Sequence, residues 1–287
     1  MHPLIVHNGR LGPHDAQLSA GQFGLLTGWG VFSTFRIYDG IPFEFERHWS
    51  RLAHDAERLR VRLPHAPEEI RRHMLDLIGA NGVGNGAARL SFVRNQGGLW
   101  STESERETDF LIFTADLKAW PASARLSVTP NLRDTASPLA GAKILSWAVN
   151  VAALEQAQAQ GFDETLLLNE RGEVSECTAA NVFAVRDGVL FTPPLESACL
   201  PGVTRAVLLE LARAAGIEVR EQPMRVEDLH AADEVFITST TREIMPVREA
   251  AGAPTRYDGP VTRQLHAAFR EHVRRYVERR RPVSAQA

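Results

Sequence analysis

Branched and aromatic residues fill Val31-Phe32-Ser33-Thr34-Phe35-Arg36-Ile37-Tyr38, stop at Asp39-Gly40 and resume in Ile41-Pro42-Phe43-Glu44-Phe45. Two such runs around a dipeptide that tolerates positive φ predict a β-hairpin. The period then changes. Between Glu46 and Arg60, the apolar residues Trp49, Leu52, Ala53, Ala56 and Leu59 recur at helical spacing, and a second helix is expected after Pro67. Strands are expected at Arg89–Val93 and Asp109–Thr114. The polar, glycine-containing stretch Asn95–Thr108 reads as a loop.

The segment Lys118-Ala119-Trp120-Pro121-Ala122-Ser123 reads as the join between two parts. Beyond it the pattern predicts a strand near Arg125–Thr129 and an apolar helix over Ser146–Gln160, ended by Gly161. A strand at Glu164–Asn169 is expected next, then a hairpin of Asn181–Arg186 and Val189–Thr192 about Asp187-Gly188. A helix over Val203–Ala215 with Gly216 as its stop, strands at Ile217–Arg220 and Glu234–Thr238, and a last helix near Pro260–Glu278 complete the pattern. Strands and helices mixed through both halves imply an α/β (mixed α+β) fold in two domains. These are a small domain over 1–118, a linker over 119–124 and a large domain over 125–287.

Composition narrows the classes. Hydrophobic residues at 44% and charged residues at 23% leave room for a sizeable core. A net charge of −3 gives no reason to expect nucleic acid or a membrane surface as partner. No apolar run reaches the roughly 18 residues a bilayer span needs, and the N-terminal residues lack the layout of a secretory signal. Cys177 and Cys199 are the two cysteines, too few for a disulfide framework, so a cytoplasmic protein is expected. The arginine-rich stretch Arg270–Arg281 reads as the solvated face and end of the last helix.

Lysine usage adds candidate chemistry. The chain has two lysines, Lys118 and Lys143, and the other 30 of its 32 basic residues are arginine. Arginine stays protonated, whereas a lysine amine can be deprotonated and condensed with a carbonyl. Lys118 falls in the expected linker. Leu200-Pro201-Gly202-Val203-Thr204-Arg205 places a glycine turn before a helix, which is either a plain cap or a phosphate cradle of backbone N–H groups. Glu176, within Val174-Ser175-Glu176-Cys177-Thr178-Ala179-Ala180-Asn181, is either an exposed loop acid or a buried carboxylate that needs a cationic partner. Arg51, one turn after Arg47, is either a solvated helix residue or an inward-facing phosphate ligand.

Taken together, these stretches with Gly161–Glu176, Asn181-Val182-Phe183, Asp187–Pro194, Phe32–Arg36 and Asp233–Val247 resemble the class IV aminotransferases. That family comprises the fold-type IV pyridoxal phosphate enzymes: branched-chain aminotransferases, D-amino acid aminotransferases and aminodeoxychorismate lyases. The resemblance implies pyridoxal 5'-phosphate as cofactor and Lys143 as the Schiff-base lysine and proton shuttle. It also implies Glu176 on the pyridine nitrogen, Arg51 on the phosphate, and Val203, Thr204 and Thr240 as the phosphate cup. Phe32, Arg36, Arg89, Thr241 and Arg242 are the candidates for the substrate side. No metal is implied. The family is dimeric, so a homodimer is expected, acting on an amino donor and a 2-oxo acid.

The match departs from the family pattern at several points. Cys177 stands where the family usually has glycine. Thr27 and Ala148 stand where branched-chain enzymes carry tyrosines, and Leu99 stands where D-amino acid enzymes carry an arginine. A transaminase of small amino acids or amines is the first expectation. A lyase that eliminates pyruvate from an aminodeoxychorismate-like substrate is the alternative, and a non-catalytic binding protein on the same fold is a remote third.

Overall fold

The computed structural model describes residues 1–15, 22–96, 106–257 and 259–281. The chain divides into two compact units. The first takes Met1–Lys118, Lys143–Ser146 and the residues from Glu271; the second takes Ala119–Ala142 and Trp147–Arg270.

In the first unit, strands β1 (Leu4–His7), β2 (Arg10–Pro13), β3 (Gly30–Tyr38), β4 (Ile41–Pro42), β5 (Gly86–Arg94) and β6 (Thr108–Ala115) form one antiparallel sheet. Their order is β2-β1-β6-β5-β3-β4. Helices α1 (Phe23–Thr27), α2 (Phe45–Arg58) and α3 (Pro67–Ala80) lie between them in sequence. The expected hairpin forms, with Asp39 (φ 48°) and Gly40 (φ 77°) both left-handed, as its two-residue turn requires. Its second strand is shorter than expected. The backbone bends at Glu44 (φ 52°) and enters α2, so Phe43 and Phe45 leave the strand.

Side chains of a strand alternate between faces. Val31, Ser33, Phe35 and Ile37 of β3 therefore share a face with Ala88, Leu90 and Phe92 of β5, their cross-strand partners or close neighbours. All seven are fully buried. Helix α2 packs on β3, and α3 packs on β1 and β6. Leu52, Ala56, Ile70, Met74 and Leu77 are buried on those helices; each large side chain contributes roughly 1.5–3 kcal/mol by leaving water. The opposite face of β3 carries Phe32, Thr34 and Arg36. Arg89 stands directly across from Thr34 and so shares it.

The sequence pattern assigns 125–287 to one large domain, but two stretches of that range group with the first unit. Lys143–Ser146 does so because it bonds to β3 and to the segment just before it. The Phe32 N–H donates to the Lys143 carbonyl (3.2 Å), the Leu145 N–H donates to the Gly30 carbonyl (2.9 Å), and Ile144 bridges Val31. Ser146 Oγ donates to the carbonyls of Thr27 (3.1 Å) and Gly28 (3.0 Å).

Among the described residues, the second unit holds β7 (Ala124–Arg133), β8 (Glu164–Asn169), β9 (Val174–Cys177), β10 (Asn181–Arg186), β11 (Val189–Thr192), β12 (Val219–Glu221), β13 (Glu234–Ser239), β14 (Glu243–Ala250) and β15 (Ala253–Pro254). The order is β12-β11-β10-β13-β14-β7-β8-β9, with β15 on β14. Helices α4 (Ala148–Ala159) and α5 (Val203–Ala214) connect the parallel pairs β7–β8 and β11–β12. Helix α6 (Val226–His230) precedes β13, and α7 (Pro260–Arg280) ends the described chain. Strand β9 ends the order, yet the Cys177 N–H bonds to the Ala180 carbonyl (2.7 Å) and the chain passes at once into β10. The core of this unit includes Leu126, Leu166, Val182, Val235, Ile237 and Val247.

The stretch around Glu176 is a strand and not a loop. β9 pairs antiparallel with β8, and Glu176 stands opposite Leu167. β14 was likewise not expected; it pairs with β13 and, in parallel, with β7. On α7, Arg274 and Arg275 pair with Glu271, and Arg274 also with Glu278, on an exposed face. No helix among the described residues is long and apolar enough to cross a membrane.

Candidate active site

Lys143 has its main chain fixed on both sides. Its N–H donates to Asp55 Oδ2 of α2 (3.1 Å), and its carbonyl takes the Phe32 N–H of β3. Its amine ends 4.6 Å from the centre of the Phe32 ring. Lys118, by contrast, is exposed after β6. Asp55 is 1% exposed. Burial pushes its carboxyl up, while the Lys143 N–H bond and the charges of Arg51, Arg58 and His54 pull the other way.

His48, Arg51 and Asp55 are spaced three and four residues apart, so α2 carries them on one face. Arg51 Nη2 donates to Ser33 Oγ (3.0 Å), and His48 Nδ1 lies 2.9 Å from the same oxygen. The ring of His48 packs on Phe35, with centres 4.7 Å apart. Burial, then the charges of Arg51 and Lys143, push His48 well below the ordinary histidine range. A neutral His48 can accept the Ser33 hydroxyl proton while Ser33 accepts from Arg51. Ser33 and His48 thus steady the guanidinium that the family pattern assigns to the phosphate.

Phe32, Arg36 and Arg89, expected on the substrate side, share the outer face of the sheet. Arg89 lies over the Phe32 ring, 4.1 Å from its centre, and burial pulls its guanidinium down. Arg36 is turned to other work. It donates to the carbonyls of Ile37 (2.8 Å) and Gly86 (3.0 Å) and stacks 4.4 Å over Tyr38.

In the second unit Glu176 is 8% exposed. Oε1 accepts from Arg133 Nε (3.1 Å) and Nη2 (3.0 Å), and Oε2 accepts from the Leu200 N–H (3.1 Å). These donors are the partners that a buried carboxylate needs. Arg133 was not foreseen, because it lies 43 residues from Glu176 and carries no local motif. Val203 and Thr204 open α5. Gly202 caps that helix without a side chain, and no acid stands in its first turn. A Cβ on Gly202 would overlap the Asn181 amide, so a larger residue there would displace that side chain, whose Nδ2 donates to the Leu200 carbonyl. An uncapped helix start with buried Val203 and Thr204 has the donors and the dipole an anion needs. Thr240 and Thr241 form the turn between β13 and β14, half-buried.

Arg242, next in that turn, is one of three arginines offered for a substrate carboxylate. Its guanidinium meets Glu164 Oε2 at 3.0 Å and the Ala179 carbonyl at 3.2 Å, and lies 4.0 Å over the Trp120 ring. Glu164 also accepts from the N–H groups of Thr165 (3.2 Å) and Thr178 (3.1 Å) and from the Thr178 hydroxyl. This buried pair ties three segments together. Of the departures from the family pattern, Thr27 ends α1 and Ala148 opens α4, both exposed. Cys177 is a fully buried free thiol on β9, and Leu99 lies outside the described residues.

Comparison with known proteins shows the family. The Amino-transferase class IV family model matches residues 30–250. A putative branched-chain-amino-acid aminotransferase of Methanocaldococcus jannaschii is 36% identical over 93% of this chain and 95% of its own. The D-alanine aminotransferase of Listeria monocytogenes is 31% identical over 95% and 96%. The crystal structure of the branched-chain amino acid aminotransferase of Escherichia coli superposes with a TM-score of 0.87 at 31% identity, covering 94% of this chain and 94% of that one. The chain belongs to the class IV aminotransferases, a family of enzymes.

Two outcomes follow from the geometry. Arg242→Ala leaves the Glu164 charge buried without its cation and should cost about 3–5 kcal/mol in urea melts. Arg242→Met with Glu164→Gln should cost clearly less, and equal losses would remove the pair from the account. His48 is held below its ordinary value of 6.5 in the folded chain. The unfolded chain therefore binds the extra proton as pH falls through that value, and stability drops with it, by up to about 1.4 kcal/mol per pH unit. Melts of the parent and His48→Gln at about pH 7.5 and about pH 5.5 should show the parent losing more. Equal losses would mean His48 titrates normally.

Proposed function

We propose that the protein is a pyridoxal 5'-phosphate-dependent transaminase, moving an amino group from a small amino acid or amine to a 2-oxo acid by a ping-pong path. The observation that carries this reading is Lys143, whose main chain is fixed at both its N–H and its carbonyl while its amine ends over Phe32. When bound, the cofactor stores the amino group between half-reactions and spreads the electron pair left at the substrate carbon. Lys143 would carry the cofactor, then take the Cα proton and return it one atom further on. Glu176, with its charge balanced by Arg133, would hold the proton on the pyridine nitrogen. Arg51, steadied by Ser33, would hold the phosphate together with the Val203 and Thr204 N–H groups and Thr240.

On the substrate side, Arg89 is favoured over Arg36 and Arg242. It stacks on Phe32, the ring over which the Lys143 amine also ends. A 2-oxo acid carboxylate would meet it through charge-assisted hydrogen bonds. The names of the relatives set the donors to try first: branched-chain amino acids and D-alanine. A cytoplasmic homodimer is part of this proposal, in keeping with the family pattern.

The test is a coupled assay with cofactor, a panel of L- and D-amino donors, and pyruvate or 2-oxoglutarate. Transfer that requires both partners supports the transaminase. Pyruvate released from an aminodeoxychorismate-like compound with no acceptor would put the lyase in its place. Lys143→Ala should abolish transfer. Glu176→Gln should keep the cofactor and lower turnover by roughly 10²–10³, the usual loss for one preorganised electrostatic partner. Near-normal turnover in Glu176→Gln would reduce Glu176 to a structural acid.

A further inference from the structure

We propose that Asp55 is a positioning residue for Lys143, its buried carboxylate holding the lysine's main-chain N–H and so fixing where the amine stands. Asp55 lies on the face of α2 that also carries His48 and Arg51, and is 1% exposed. Oδ2 accepts the Lys143 N–H at 3.1 Å. Oδ1 is buried without a hydrogen bond and stands 3.9 Å from Arg58 Nη1. A buried carboxylate accepting so few hydrogen bonds is costly, and burial does push this carboxyl up. A neutral side chain could accept one N–H at lower cost. The charged acceptor provides a bond roughly twice as strong as a neutral one. That bond acts at the residue preceding the Val31–Ile144 bridge and the Leu145–Gly30 bond. Asp55 thus adds a charged side chain to the main-chain ties that align residues 143–145 with the start of β3. It touches no reacting atom; it acts through the lysine.

The role given to the amine rests on the transaminase reading, but the tie itself does not, and the experiment separates them. Residue-resolved amide exchange on the full chain, without added cofactor, compares the parent with Asp55→Ala and Asp55→Asn. The Lys143 amide should exchange at least about ten times faster in Asp55→Ala, the factor that losing one such bond represents. The Leu145 and Phe32 amides, which donate to main-chain carbonyls, should stay protected. Asp55→Asn keeps an acceptor without the charge and should fall between parent and Ala. If Asp55→Ala fails to fold, the Asn variant decides: exchange at Lys143 equal to the parent overturns the proposal. Loss of protection at all three amides in Asp55→Ala also overturns it, since Asp55 would then hold the unit as a whole. With pyridoxal 5'-phosphate added, Asp55→Ala should bind the cofactor about as tightly as the parent but form the borohydride-fixable link about ten times more slowly. A merely structural role would weaken both together. If the parent itself forms no fixable link, the cofactor reading fails while the exchange result still decides the tie.

Discussion

A lysine amine can serve one reaction centre repeatedly only if its main chain does not wander, and three hydrogen bonds prevent that here. Asp55 holds the Lys143 N–H, Phe32 holds its carbonyl, and Gly30 holds the N–H of Leu145. Two of the three partners lie in or at the start of β3, whose inner face is packed against α2, and the third is on α2 itself. The rigidity of the lysine is thus inherited from the core of the first unit, with Phe35, Leu52 and Ile37 buried behind it. The same helix brings Arg51 to Ser33, so one packed element sets both the lysine and the arginine proposed for the phosphate.

The second unit solves a different problem, keeping buried acids in place. Glu164 and Glu176 are both deeply buried and both meet an arginine, but their surroundings differ. Glu164 is surrounded by donors from Thr165, Thr178 and Arg242 and fastens the turn at 240–242 to the turn before β10. Glu176 sits on a strand and receives Arg133 on one oxygen and a single N–H on the other. The first arrangement is suited to holding a fold together. The second leaves Oε2 with capacity for one more donor, which is what a carboxylate serving a protonated ring nitrogen requires.

Much of this was legible in the sequence where the signal is local. Asp39-Gly40 and Asp187-Gly188 announced their hairpins because both turns need positive φ, and Gly216 stopped its helix by the same logic; Pro67 marked a helix start because its fixed negative φ suits the first turn. The family pattern around Lys143 and Gly202 was legible because the chemistry allows few substitutes. What escaped was set by pairing across the chain. Val174–Cys177 is too short to show a period, and only β8 makes it a strand. β14 contains Pro246, which argues against a strand unless the neighbours are known. Lys143–Ser146 joined the first unit through main-chain bonds, which leave no trace in side-chain pattern. Arg133 and Glu164 declare their partners only in three dimensions, so the sequence left Arg242 open between a protein carboxylate and a substrate one.

The most direct test of the central claim is chemical. The protein is incubated with pyridoxal 5'-phosphate, reduced with borohydride, digested, and the modified peptide sequenced by mass spectrometry. With two lysines in the chain, the answer is unambiguous. The account predicts the reduced adduct on Lys143, at one equivalent, with Lys118 unmodified. An adduct on Lys118, or on neither lysine, would contradict it.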